Sequence, residues 1–222
     1  MPRPGEISLA SHGVLFLDEL PLFRRDVLEA LRGPLEDGVV RIVRSGGAIT
    51  FPARFSLIAA MNPCPCGYFG SNERPCRCSD ARLQSYRSRI SGPLLDRFDI
   101  QADVVRLGRA ELLEEAPTEA SSQVRARVER ARQMQARRYG ATNVTNATAS
   151  RRAVRKAVEI TTAGRRMLGD AIDGLKLSGR GLDRVHRLAR TIADLEGAET
   201  VSDSHLAEAL IFRTSDAIGE AA

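Results

Sequence analysis

The chain has 222 residues, 43% of them hydrophobic and 27% charged, enough to bury the core of one large domain or two small ones. No apolar run approaches the roughly 18 residues of a membrane span, and "MPRPGEISLA" has no apolar signal core; these features exclude a membrane protein and a secreted one, and set the cytoplasm as the expected compartment. A net charge of +5, with all but Lys156 and Lys176 of the 33 basic residues being arginine, fits a polyanionic partner and a solvated mixed-charge surface equally well.

In chain order, "GVLFLDELP" (Gly13 to Pro21) reads as a buried strand, Val14-Leu15-Phe16-Leu17, closed by two carboxylates, Asp18 and Glu19. "RRDVLEALRGPLEDG" follows with Val27, Leu28, Leu31 and Leu35 at helical spacing. "VVRIV" and "AITFPA", joined by Arg44-Ser45-Gly46-Gly47, predict a hairpin. "FSLIAAMN" is a further apolar run that ends on a polar residue, Asn62. Residues 1–107 thus read as an α/β half-domain whose strands finish in Asp, Glu and Asn. Residues 108–120, around "EEAPTEASS", read as a linker, and 121–222 as an all-helical domain. Helices are expected over "SSQVRARVERARQMQARRYG", with Gly140 as its stop, and over Ser150–Thr161, Ala163–Leu175, Gly181–Glu196 and Ser202–Ser215. The triplets Asn143-Val144-Thr145 and Asn146-Ala147-Thr148 look like glycosylation sites but read as chance matches in a polar loop.

Burying an unpaired carboxylate costs several kcal/mol, so Asp18 and Glu19 either emerge into solvent or meet a cation. Functional groups collect at the carboxyl ends of strands in open α/β sheets. An Asp-Glu pair there is how nucleoside-triphosphate hydrolases hold Mg²⁺: the Asp orients metal-bound water and the Glu polarises the attacking water. Three other residues fit the same chemistry. Asn62 offers an amide to a γ-phosphate or a water, or else forms a turn before Pro63. Arg97, in "SGPLLDRFD", lies in a segment expected at the domain edge, or else pairs with Asp96 or Asp99. Arg180 stands at the mouth of the helix in "LSGRGLDRVHRLARTIADL", or else is an ordinary first-turn residue.

The segments "PRPGEISLASHGVLFLDELPLF", "ITFPARFSLIAAMNPCPCGYFG", "RISGPLLDRFDI" and "LSGRGLDRVHRLARTIADLEG" together resemble the magnesium-chelatase-like AAA+ ATPases of bacteria, the ComM (YifB-type) competence group. The resemblance runs over essentially the whole chain. It implies the C-terminal half of an AAA+ core followed by an all-helical lid. It also implies Walker B at Asp18 and Glu19, sensor 1 at Asn62, an arginine finger at Arg97 and sensor 2 at Arg180, with ATP and Mg²⁺ bound and Asp18 holding the metal through water. The hairpin Val39–Pro52 is similar to the pre-sensor-1 hairpin that this clade shares with MCM helicases. One departure stands out. Neither Lys156, before Ala157, nor Lys176, before Leu177, can complete the Gly-x-x-x-x-Gly-Lys-Ser/Thr phosphate loop. In the family that loop lies upstream, so the chain is expected to be the C-terminal part of a longer protein and to be inactive alone.

All four cysteines fall within fifteen residues, as Cys64-Pro65-Cys66 and Cys76-Arg77-Cys78. Four thiolates suit structural zinc, and Gly67 and Gly70 allow the turns such a site needs, although a single residue between paired ligands strains the chelate. Free thiols in a surface loop are the other reading. His12, His186 and His205 have no ligand or triad spacing and read as surface or satisfied core residues.

The activity implied by the resemblance is that of a homo-oligomeric, hexameric ring motor on DNA, a helicase promoting branch migration during natural transformation. Arg41 and Arg44 of the hairpin are suited to phosphate contact. A metallochelatase subunit, coupling ATP hydrolysis to insertion of Mg²⁺ into a porphyrin, is the alternative, and "NPCPCG" resembles the first group more closely. A non-motor interaction fragment is the third reading.

Overall fold

The computed structural model describes residues 3–44, 47–71, 74–104, 109, 113 and 119–213. The chain divides into two compact units between Phe98 and Asp99. Most of the linker expected at 108–120 lies outside the described residues, as do the hairpin turn residues Ser45 and Gly46.

The first unit mixes helix and strand: α1 (Glu6–Leu9), β1 (Val14–Leu17), a 3-10 turn (Leu20–Leu22), α2 (Arg25–Ala30), α3 (Arg32–Asp37), β2 (Val39–Arg44), β3 (Gly47–Pro52), β4 (Ser56–Ala59), α4 (Asp80–Arg87) and α5 (Gly92–Leu95). β1 pairs parallel with β4, from Val14↔Ser56 to Leu17↔Ala59. The pleat sends alternate side chains to opposite faces. Leu15, Leu17 and Ala59 therefore pack onto Leu20, Leu28, Leu31, Ile90 and Leu94. Val14, Phe16 and Ile58, on the other face, are 57%, 59% and 51% exposed. This corrects the reading of β1 as buried: among the described residues helices cover only one face of the sheet, so half of its apolar run faces outward. β2 and β3 form the expected antiparallel hairpin, with Arg41 opposite Thr50 and Arg44 opposite Gly47.

The stretch Arg24–Gly38, read as helical from its spacing, forms two short helices meeting at Leu31. Pro34 is the cause: it has no N–H to donate to the Ala30 carbonyl, and its ring crowds that oxygen.

The second unit is helical: α6 (Ser121–Tyr139), α7 (Arg151–Lys156), α8 (Thr162–Gly174), α9 (Gly179–Glu196) and α10 (Asp203–Ile211). α9 packs against α6, α7 and α10. Its Val185, Ala189, Ile192 and Ala193 meet Val154, Val158, Leu168, Leu206 and Ala209 in one apolar core. The hydroxyls of Ser150, Thr161, Ser178 and Ser202 cap α7 to α10 by accepting backbone N–H bonds. α7 stops at Lys156, short of the expected Thr161, because Thr161 is committed to starting α8; its hydroxyl accepts from the Gly164 N–H and donates to Asp203 at 2.7 Å.

A polar cluster is sealed within this unit. Asp194 and Arg190, both fully buried, pair within α9, and Asp194 also accepts from Arg138 at 2.9 Å and Asn146 at 2.8 Å. Asn146, in the turn between α6 and α7, is thus a buried hub. His186 is buried with neither ring nitrogen hydrogen-bonded; burial pushes its pKa down, with Arg155 adding to the effect. That departs from the expectation of a surface or satisfied histidine. His205 meets the expectation: its Nδ1 accepts from the Ser202 N–H at 3.0 Å and its Nε2 contacts Glu196 at 2.8 Å.

Candidate functional site

The carboxyl ends of β1 and β4 remain tied together past the strands. The Ala60 N–H donates to the Leu17 carbonyl and the Leu20 N–H to the Ala60 carbonyl, both at 2.9 Å. Between these bonds the chain turns sharply, because Glu19 takes a left-handed conformation, φ 49° and ψ 47°. Such a conformation costs a residue with a Cβ about 1–2 kcal/mol. Asp18 Oδ1 accepts the Glu19 N–H at 2.8 Å, and both carboxylates are exposed.

Across the paired strands, Asn62 is anchored through its carbonyl, which accepts from the Tyr86 hydroxyl at 3.2 Å. Glu19 and Asn62 line one cleft of about 350 Å³ together with Leu22, Cys64 and Pro65. α4 and the residues just after it supply the rest of the lining, Arg82, Ser85, Tyr86 and Arg89. Arg89 also donates to the Pro21 carbonyl at 2.9 Å, tying this segment to the turn after Glu19. Burial pushes the Tyr86 phenol up, and the nearby Cys64 and Glu19 add to that. A cleft with a carboxylate, an amide and two guanidinium groups has the chemistry to take a polyanion together with its cation. Sequence reading missed Arg82, Tyr86 and Arg89; Arg82 and Tyr86, four residues apart, share one face of α4, and Arg89 follows just past its end.

Arg97 belongs to the same unit but lies outside this cleft. Its side chain is 8% exposed and donates to Glu36 Oε2 on α3 at 2.6 Å and to the Pro93 carbonyl at 2.8 Å. Glu36 is a partner the sequence reading did not name. Asp99, one of the partners it did name, accepts from Arg184 at 2.8 Å. Arg180 is the second residue of α9, exposed, in the helical unit. Arg41 and Arg44 are exposed on the hairpin, as are Val43 and Ile49.

The four cysteine sulfurs all lie within 4.8 Å of one another. Cys64 is buried, the other three are partly so, and all are free thiols. Cys64 Sγ is 3.3 Å from Cys66 Sγ and 3.7 Å from Cys76 Sγ, and Cys66 and Cys76 are 3.5 Å apart. The backbone N–H groups of Phe69 and Cys78 point at the sulfurs of Cys64 and Cys76. Backbone N–H groups of Arg77 and Tyr68 pull the Cys66 thiol down to about 6. Gly67 and Gly70 have φ of +80° and +75°, the turns that only glycine makes readily.

The family described as "Magnesium chelatase, subunit ChlI" matches residues 1–112, and that described as "Magnesium chelatase, subunit ChlI C-terminal" matches residues 118–213. The chain is 43% identical over 214 residues to the "Competence protein ComM" of Haemophilus influenzae, covering 96% of this chain and 41% of that protein. It is 40% identical over 218 residues to the "Uncharacterized protein YifB" of Escherichia coli, covering 97% and 42%. Similarity to the chloroplastic "Magnesium-chelatase subunit ChlI" of Glycine max is lower, 25% over 216 residues, covering 92% and 43%. The chain thus spans about two-fifths of the length of these curated relatives. By the match over its first 112 residues, the chain belongs to the family of magnesium chelatase, subunit ChlI.

Proposed function

We propose that the chain is the C-terminal half of an AAA+ ATPase core with its helical lid, part of an ATP-hydrolysing ring motor in the cytoplasm, and that this motor is a DNA helicase promoting branch migration in natural transformation. The observation that carries the reading is the cleft at the carboxyl ends of β1 and β4, where Glu19 and Asn62 meet beside Asp18. The residues fit a magnesium nucleotide. Asp18 spends one oxygen on the Glu19 N–H and keeps the other for metal-bound water. Glu19 accepts a proton from the attacking water, Asn62 orients that water or the terminal phosphate, and Arg82 and Arg89 offer cationic lining. Bound Mg²⁺ supplies charge neutralisation on the phosphates. Arg97 acts on a neighbouring protomer's site, and Arg180 relays nucleotide state to the lid.

On this reading the phosphate loop comes from a part of the protein outside these 222 residues, which contain no Gly-x-x-x-x-Gly-Lys-Ser/Thr. The face of the β1–β4 sheet that the described residues leave uncovered supports that, since parallel sheets are covered on both faces. Identity to a competence protein and the exposed hairpin arginines support DNA as the partner. The lower similarity to a chloroplastic ChlI supports the second reading, an ATPase subunit that drives Mg²⁺ insertion into a porphyrin. ATP turnover by a protein joining this chain to a Gly-Lys-Ser/Thr half separates the two. Stimulation by branched DNA is expected. Indifference to DNA, with stimulation by a porphyrin acceptor and its chelatase partners, would overturn the motor.

A further inference from the structure

We propose that Cys64, Cys66, Cys76 and Cys78 hold a single Zn²⁺ as four thiolates, in a structural site that fixes the segment between Asn62 and α4. Sulfurs at about 2.3 Å from a tetrahedral zinc ion lie about 3.8 Å from one another. The edges among Cys64, Cys66 and Cys76, 3.3, 3.5 and 3.7 Å, with all four sulfurs inside 4.8 Å, come close to that tetrahedron. They are far longer than a disulfide bond of about 2.05 Å. They are also too short for an iron–sulfur cluster, whose inorganic core stands between its thiolates and holds them apart. A lone ion in a set of four sulfurs is the species that fits, and zinc is the borderline-soft divalent ion that takes this geometry without redox chemistry.

The surroundings serve thiolates. N–H groups of Phe69 and Cys78 reach the sulfurs of Cys64 and Cys76 at 3.3 and 3.5 Å, spreading the negative charge that four thiolates carry. The Arg87 guanidinium lies 4.6 Å from the centre of the Phe69 ring, which secures the turn that presents the Phe69 N–H. Four protein ligands leave no open position, so the ion has no substrate to activate. Its effect is mechanical. Cys64 is both a ligand and a lining residue of the Glu19–Asn62 cleft, so the metal pins one wall of that cleft two residues from Asn62.

The test uses the chain as it stands, purified under reducing conditions. Metal analysis is expected to find about one zinc per chain. After chelation, Co²⁺ is expected to give the thiolate-to-cobalt charge-transfer absorption of a tetrahedral sulfur site, and Zn²⁺ to protect the four thiols from a thiol reagent. Cys78→Ala is expected to weaken zinc by at least the roughly 10- to 100-fold that losing a mere supporting partner costs. Cys78→His, which offers a nitrogen ligand instead, is expected to keep the stoichiometry. Cys64 is fully buried, so its replacement would also open a cavity, and the half-buried Cys78 separates ligation from packing. Reduced chain that carries no zinc, takes up no Co²⁺ through sulfur and leaves all four thiols reactive would overturn the proposal. So would iron recovered in place of zinc.

Discussion

Glu19 sits in a backbone conformation that residues with a Cβ avoid, and the turn it makes keeps two successive carboxylates exposed where an extended chain would send them to opposite faces. Strain at a charged residue in a cleft is expected of a reacting group more than of a stabilising one. In a full-length protein, Glu19→Gln keeps shape and backbone but removes the base. Nucleotide affinity should hold while turnover falls by roughly 10²- to 10⁴-fold. Turnover at the wild-type rate would remove Glu19 from the chemistry. Asp194 makes the opposite case, a buried carboxylate whose partners are all structural. Asp194→Ala leaves the guanidinium of Arg190 buried without its anion, and takes one acceptor from Arg138 and one from Asn146. Breaking a buried pair in this way costs about 3–5 kcal/mol, to be read from the denaturant midpoint of the chain. A loss under about 1 kcal/mol, the value of an exposed pair, would mean that water reaches the cluster.

Among the elements, α8 shows how packing decides the sign of a substitution. A Cβ at Gly164 would lie 2.8 Å from Asp203 Oδ1 and 2.9 Å from Leu206 Cδ1, and Leu206 is fully buried with nowhere to retreat. Overpacking of about 1–3 kcal/mol outweighs the ~1 kcal/mol helix-propensity gain, so Gly164→Ala should lower the thermal midpoint. Gly169, on the same helix, has nothing within 4 Å, and Gly169→Ala should raise it. Two midpoints moving the same way would refute the packing argument. Helices such as α6 and α9 were legible in the sequence because apolar periodicity, a serine at the start (Ser121 as the first residue of α6, Ser178 before α9) and a glycine after each are local signals. The split between α2 and α3 is written in Pro34, while the four apolar side chains keep helical spacing across it. Strand alternation told that β1 has two faces; it held no information on which one a helix would cover. The cysteine cluster, Glu19 and Asn62 stand out as residue types in a pattern. Arg82 and Arg89 do not, because one arginine on a polar helix and another just past its end look like a solvated surface until the cleft is formed. Asn146 was hidden for a similar reason: its burial depends on Asp194, 48 positions away.

At the scale of the whole assembly, Arg97 has two competing roles. Inside one chain it is a nearly buried partner of Glu36, which by itself explains its presence. In a ring, the resemblance requires it to leave or extend past that pair and stabilise charge on a phosphoryl group bound by the next protomer. The two roles give different answers to the same pair of substitutions in a full-length ring. If Arg97 serves only the ion pair, Arg97→Ala and Glu36→Gln should lower the thermal midpoint alike and leave turnover alone. If Arg97 reaches across, Arg97→Ala should cut turnover by roughly 10³- to 10⁵-fold, and Glu36→Gln should leave it intact or raise it by releasing the guanidinium. Mixing then tests whether the site is shared. Subunits carrying Glu19→Gln keep a good arginine, and subunits carrying Arg97→Ala keep a good glutamate. In a ring of head-to-tail contacts assembled at random from equal amounts, about a quarter of the interfaces bring the two intact groups together. Hydrolysis should return to about that fraction, although neither variant hydrolyses alone. A mixture as inactive as its parents, in rings shown to exchange subunits, would leave Arg97 as the partner of Glu36 and nothing more.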